Sequence, residues 1–178
     1  MSESESEEEY DHAAEGSILL VALPELDAYV APWRTELAPD GINAHMTVLS
    51  PFLPESQIDE GVLAELRGIF RSHRAFDLTF ARTGAFPNFL YLAPEPELPF
   101  SALTGTVFER WPEYPLYGGK YEDVRPHLSV VYDGDDELCE TVRRVLEQQL
   151  PIHTRVAAVD LLCFDGSRWN LRERFPLG

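Results

Sequence analysis

The sequence predicts an α+β fold, bilobal and duplicated, with two antiparallel sheets flanked by helices and facing a central cleft. Three observations predict it. Apolar residues recur at strand spacing in some segments and at helical spacing in others, in the order strand, helix, strand, helix, strand, run through twice. Each pass contains one histidine two places before a small hydroxyl residue, inside an aliphatic run: Ala44-His45-Met46-Thr47-Val48-Leu49 and, 82 residues on, Pro126-His127-Leu128-Ser129-Val130-Val131. The closing aromatic of each pass follows at a similar distance, 35 residues from His45 to Phe80 and 37 from His127 to Phe164. Matched motifs at matched spacing point to an internal duplication.

Taken in order, Ile18 to Leu23 is a short apolar strand. Pro24 suits a first helical turn, where its missing N–H leaves nothing unpaired, and Leu26, Val30, Trp33 and Leu37 then recur at helical spacing. Pro39-Asp40-Gly41 is a turn, and the first histidine strand follows until Pro51 ends it. Ile58, Val62, Leu66 and Ile69/Phe70 share one face of a helix over 58–73. Phe76 to Phe80 alternates as a half-buried strand. In the second pass Phe89 to Leu92 is a strand, and Phe100, Leu103, Val107 and Trp111 mark a helix. Pro112 to Gly119 is a loop before the second histidine strand. Leu138, Val142, Val145 and Leu146 form another helical face, residues 154–164 a strand, and Trp169 to Phe175 a last one. Residues 1–16 read as a disordered acidic tail and 17–178 as a single domain. Its lobes run roughly 17–85 and 86–178, exchanging terminal strands.

Composition narrows the partners. The chain has 178 residues, 44% hydrophobic and 25% charged, with a net charge of −17. Seven acids and no Lys or Arg lie in the first fifteen residues, so much of the excess sits in a segment with nothing to bury. Long nucleic acids are held by neutralising many phosphates with a basic surface. An acidic chain disfavours long duplex or extended RNA and favours a nucleotide-sized anion in a locally polarised cleft. No apolar run approaches the roughly 20 residues that span a bilayer, and the acidic N-terminus is the reverse of a secretory leader. A cytoplasmic, monomeric chain without membrane contact is expected. Cys139 and Cys163, the only two cysteines, are expected as free thiols in apolar patterns.

The doubled motif carries the chemistry. In an extended strand, side chains i and i+2 share a face, so each histidine emerges beside its hydroxyl. Met46, Val48, Leu128 and Val130 then point the other way, into a core. Two imidazoles with an ordinary pKa near 6.5 can act as base and acid on opposite sides of a phosphorus atom. Thr47 and Ser129 can donate hydrogen bonds to the non-bridging oxygens, where charge grows in the transition state. No His-x-His, His-Glu-x-x-His or Cys-x-x-Cys cluster is present, so neither a metal nor another cofactor is expected. His12, His73 and His153 read as surface histidines outside the pair.

The pair of H-x-[ST]-x motifs resembles the 2H phosphoesterase superfamily over residues 17–175. Three further strings resemble its bacterial 2′,5′ RNA ligase-like family: 45–53 (HMTVLSPFL), 83–96 (TGAFPNFLYLAPEP) and 111–119 (WPEYPLYGG). The resemblance implies catalytic His45 and His127 and phosphate-binding Thr47 and Ser129. It implies a metal-independent phosphodiesterase acting on a 2′,3′-cyclic phosphate or a 2′,5′-linked nucleotide or RNA terminus. Val131-Tyr132 stands where many RNA-processing members carry arginine, and there the chain is more similar to cyclic nucleotide phosphodiesterases. Cyclic oligonucleotides or an ADP-ribose cyclic phosphate are the alternative substrates, and a non-catalytic nucleotide-binding regulatory protein is the alternative class. Tyr132, Phe52, Arg125 and Lys120 are the candidate substrate contacts. Residues 127, 129 and 131 share one strand face, so Tyr132 reaches the site only through a bulge or past the strand end. Phe52 is a cleft wall or a core residue, Arg125 a phosphate cation or a solvated one, and Lys120 part of a flexible loop.

Overall fold

The computed structural model describes residues 16–36, 38–121 and 124–178. Of the acidic tail expected at 1–16, residues 1–15 lie outside them, as does the expected core position Leu37. Among the described residues eight strands form one antiparallel sheet: β1 (Ser17–Ala22), β2 (His45–Leu49), β3 (Phe76–Phe86), β4 (Phe89–Glu95), β5 (Leu128–Val131), β6 (Ile152–Val156), β7 (Ala158–Phe164) and β8 (Trp169–Pro176). Their order across the sheet is β6-β3-β4-β5-β2-β1-β7-β8. Among the described residues the α-helices are a single turn α1 (Asp27–Val30), then α2 (Glu60–Arg71), α3 (Leu98–Arg110) and α4 (Asp136–Glu147).

The α+β class holds, but the expected pair of separate sheets does not. β2 and β5 hydrogen-bond to each other through the Met46–Leu128 pair, which fuses the two halves into one curled sheet. Each histidine string is short and apolar on its back face, so both strands bury that face under the helices and can lie side by side. Met46, Val48, Leu128 and Val130 are all buried in the principal core. That core also takes Leu63, Leu66 and Phe70 from α2, Phe100, Leu103 and Val107 from α3, and Val142 and Leu146 from α4. Burying side chains of this size contributes roughly 1.5–3 kcal/mol each, which holds the sheet floor rigid beneath the site. A second cluster of Ile18, Leu20, Ile42, Leu162 and Trp169 packs separately.

Two segments differ from the periodicity. The expected helix after Pro24 is three short turns, 24–26, 27–30 and 31–33. Pro32 removes a backbone N–H where a continuous helix would need it. The expected strand over 154–164 is two strands, β6 and β7, which separate at Ala157 and lie in opposite halves of the sheet, β6 at one edge and β7 next to the strand at the other. Both longer helices that follow a histidine strand start on an aspartate cap. Asp59 accepts from Val62 N at 2.9 Å and Asp135 from Leu138 N at 2.7 Å. Cys139 and Cys163 are free thiols, and burial pushes both thiol pKa values up, Cys163 to about 11. Among the described residues no helix is long and apolar enough to cross a membrane.

Candidate active site

The Met46–Leu128 pair determines what meets at the centre of the sheet. Carried one residue along each strand, it sets Ser129 opposite His45, and His127, immediately before β5, opposite Thr47. Directly opposed side chains in an antiparallel pair stand about 4.5–5.5 Å apart, and diagonal ones about 7–8 Å. The two histidines are diagonal, and so are the two hydroxyls. All four occupy the face away from the buried Met46 and Leu128, and all four are half-buried. The register thus sets the four side chains along one ladder of a continuous sheet, where two facing walls were expected.

Both imidazoles are oriented in the same way. His45 Nδ1 lies 2.8 Å from the Asn43 carbonyl and His127 Nδ1 lies 2.8 Å from the Arg125 carbonyl, each two residues upstream. A carbonyl oxygen can only accept, so each Nδ1 carries the proton. Nε2 is then the nitrogen that gains or loses a proton in each ring. Burial lowers the pKa of His127 below the usual imidazole value, opposed in part by the bond to Arg125.

Two tyrosines flank the hydroxyls. Tyr117 shares a hydrogen bond with Thr47, and burial pushes its phenol up to about 12. Tyr132 shares one with Ser129, and burial raises its phenol too, with the nearby Arg34 charge acting in the opposite sense. Tyr132 comes just after β5, so the end of the strand brings it to the motif face. Tyr117 sits in the 112–121 loop at φ 52°, a left-handed conformation uncommon outside glycine. Its N–H donates to the Ser50 carbonyl at 2.6 Å, tying the loop to the end of the first histidine strand.

An aromatic wall stands beside His127. β4 pairs Tyr91 with Ser129 on one side and with Gly84 of β3 on the other, so Tyr91 shares the motif face. Its ring centroid is 5.5 Å from that of His127 and 5.0 Å from that of Phe86. Phe86 meets His127 edge-on at 6.3 Å and is 51% exposed. Phe89 continues the wall to Tyr132, centroid to centroid 5.0 Å. The β3–β4 hairpin that carries these rings turns at Pro87-Asn88, with Asn88 at φ 63°. Its tip is fastened to the end of β5 by Gly134 N–H donating to the Asn88 carbonyl at 2.9 Å.

The remaining candidates scatter. Phe52 is fully buried, edge-on to Trp111 at 5.2 Å, so it belongs to the core under the site and is no substrate contact. The Arg125 side chain is 68% exposed, with Nε 3.6 Å from Glu97, while its carbonyl serves His127. Lys120 Nζ lies 5.8 Å over the Tyr121 ring, on the rim. His73 and His153 bond Thr106 and Thr79, away from the pair. Tyr117, Tyr91, Phe86 and Arg34 were missed by sequence reasoning. For Tyr91 and Phe86 a signal existed, since 84, 86, 89 and 91 share a face of any tight hairpin. For Arg34 and Tyr117, both on irregular backbone, no periodicity could have placed them. Among the described residues, no group of three or more His, Cys, Asp or Glu side chains is gathered to hold a metal ion.

Comparison with known proteins gives this arrangement a class. Residues 23–168 match the family model of the 2′-5′ RNA ligase superfamily. The chain belongs to that superfamily, the group that also goes by the name 2H phosphoesterases. Similar solved structures include a phosphoesterase (TM-score 0.61, 15% identity, 92% of this chain and 98% of that one). Escherichia coli LigT with 3′-AMP bound is similar to the same degree (TM-score 0.61, 15% identity, 92% and 97%). The Thermus thermophilus protein TT0787 has TM-score 0.55 and 18% identity over 91% and 97% of the two chains. At such identities the likeness is one of fold. No curated protein sequence matches this chain.

Proposed function

We propose that the chain is a metal-independent phosphodiesterase that opens 2′,3′-cyclic phosphates or cleaves 2′,5′-linked nucleotides, with His45 and His127 as its acid–base pair. The observation that carries this reading is the matched pair of Nδ1-to-carbonyl bonds, which present two like Nε2 atoms across one ladder. In hydrolysis one Nε2 removes a proton from water as its oxygen bonds to phosphorus. The bond to the 2′ or 3′ oxygen breaks in line, and the other Nε2–H gives that oxygen its proton, leaving a phosphomonoester. Thr47 and Ser129 hydroxyls donate to the non-bridging oxygens. Ligation would be the same in-line displacement with a nucleotide 5′-hydroxyl in place of water: its oxygen bonds to phosphorus, its proton passes to the first Nε2, and the 3′ oxygen of the cyclic phosphate leaves with the proton of the second. The wall of Phe86 and Tyr91 offers a π-face to a nucleobase, and related LigT has been crystallised with 3′-AMP and ATP.

The test is hydrolysis of 2′,3′-cyclic AMP with EDTA present, for wild type, His45→Ala and His127→Ala. Each substitution is expected to lower kcat by at least about 100-fold, since one positioned acid or base contributes about 10²–10⁴. Activity lost to EDTA, or kept by both variants, overturns the reading.

A further inference from the structure

The motif side chains carry no permanent charge, yet a phosphodiester is an anion and the protein has a net charge of −17. The imidazolium that serves as the acid offsets that field only while it holds its second proton, so a fixed cation nearby would strengthen anion binding. Arg125 is turned to Glu97 and Lys120 stands over Tyr121 on the rim. Arg34 is placed differently. It lines one groove with Asn43, His45, Ser129 and Tyr132. Its Nη1 donates to the Ile42 carbonyl at 3.1 Å and its Nη2 to the Pro39 carbonyl. Those bonds use two of its five N–H groups and neutralise none of its charge. Among the described residues no carboxylate pairs with it.

The same stretch of backbone therefore orients both the guanidinium and the first imidazole: the Pro39 and Ile42 carbonyls hold Arg34, and the next carbonyl, of Asn43, holds His45. The adjoining Thr35 hydroxyl donates to the Tyr132 carbonyl, which fastens this segment across the junction of β2 and β5. The Arg34 charge is felt at the Tyr132 phenol, which is bonded to Ser129. We infer that Arg34 is the phosphate-binding cation of this site, reaching the anion from the irregular segment before β2, between His45 and Tyr132. The inference rests on the phosphodiesterase reading for its substrate class, but binding alone tests it.

Titration calorimetry of adenosine 3′-monophosphate against wild type, Arg34→Gln and Arg34→Lys is that test, with thermal unfolding as the control for folding. Loss of one charge-assisted contact is expected to weaken Arg34→Gln on the order of 10- to 100-fold. Arg34→Lys keeps the charge without the fork and is expected to fall between, with affinity that still drops as salt is raised. If Arg34→Gln fails to fold, the salt dependence of Arg34→Lys decides: retained, it supports the assignment; lost, it overturns it. Binding by folded Arg34→Gln within twofold of wild type, or no binding by wild type, also overturns it. Wild type that binds the nucleotide in an Arg34-dependent way but hydrolyses no 2′,3′-cyclic AMP removes the phosphodiesterase reading and leaves Arg34 as an anion-binding residue.

Discussion

Gly84→Ala tests whether the aromatic wall matters to His127. Gly84 faces Tyr91 across the β3–β4 ladder, and the Tyr91 ring lies over the space a side chain would fill. A Cβ there would stand 2.5 Å from Tyr91 Cε2 and closer to Cζ and Oη. Carbon atoms prefer about 3.5–4.0 Å, so the ring must shift by about 1 Å. That displacement disturbs its contacts with His127 and Phe86. The stability terms nearly cancel. Replacing Gly by Ala in a compatible conformation gains about 0.4–1 kcal/mol through the unfolded chain, while weakening an aromatic pair loses about 0.5–1.5 kcal/mol. The midpoint of thermal unfolding should therefore move by no more than about 3 °C, while kcat/KM for 2′,3′-cyclic AMP falls roughly 5- to 30-fold, because misplacement by about 1 Å is costly to in-line chemistry. The assay is a double-mutant cycle with Tyr91→Ala. In the Tyr91→Ala background the added methyl has no ring to displace and should change kcat/KM less than about twofold. An unchanged kcat/KM in the single variant, or an equal loss in both backgrounds, refutes the reasoning.

Other perturbations have equally definite outcomes. Tyr117→Phe removes the hydroxyl bonded to Thr47. It should lower kcat/KM about 2- to 12-fold, the worth of one hydrogen bond of about 0.5–1.5 kcal/mol, and steady-state kinetics with an intact melting curve checks it. Phe52→Ala empties a fully buried site against Trp111 and should cost about 3–5 kcal/mol in urea unfolding, leaving KM unchanged at concentrations where the protein is folded. The lowered His127 pKa fixes a pH trend. Below about 6.5 the unfolded chain holds more protons on this ring than the folded one, so His127 subtracts stability as pH falls from about 6.5 toward its folded pKa and has no effect above. Its NMR titration midpoint should lie below about 6.5. A midpoint at or above that value contradicts the burial described for the ring.

Most elements were legible because their periodicity is local. The alternation at 45–49 and 128–131 predicts strands, and it also predicts that Met46 and Leu128 bury while their neighbours do not. What periodicity could not supply was the partner of each strand. The same apolar back face serves a strand at the edge of a separate sheet or one beside its twin, and only the long-range Met46–Leu128 pairing distinguishes them. The helix expected after Pro24 failed for a local reason that was visible, since Pro32 sits inside it. The candidate contacts divide in the same way. Tyr132 was legible as a residue that must leave the strand to reach the site. Phe52 looks the same in sequence whether it lines a cleft or a core. Arg34 depends on two carbonyls in a turn, and sequence spacing carries no record of them.

The junction of β2 and β5 has a mechanical consequence. The strands from the middle of the chain, β3 to β6, lie on one side of it, and those from its two ends, β1, β2, β7 and β8, on the other. Whatever bridges the imidazoles also rivets together two leaves contributed by different stretches of polypeptide. Occupancy should accordingly slow amide exchange at Met46 and Leu128, along the spine, more than at the outer margins of β6 and β8.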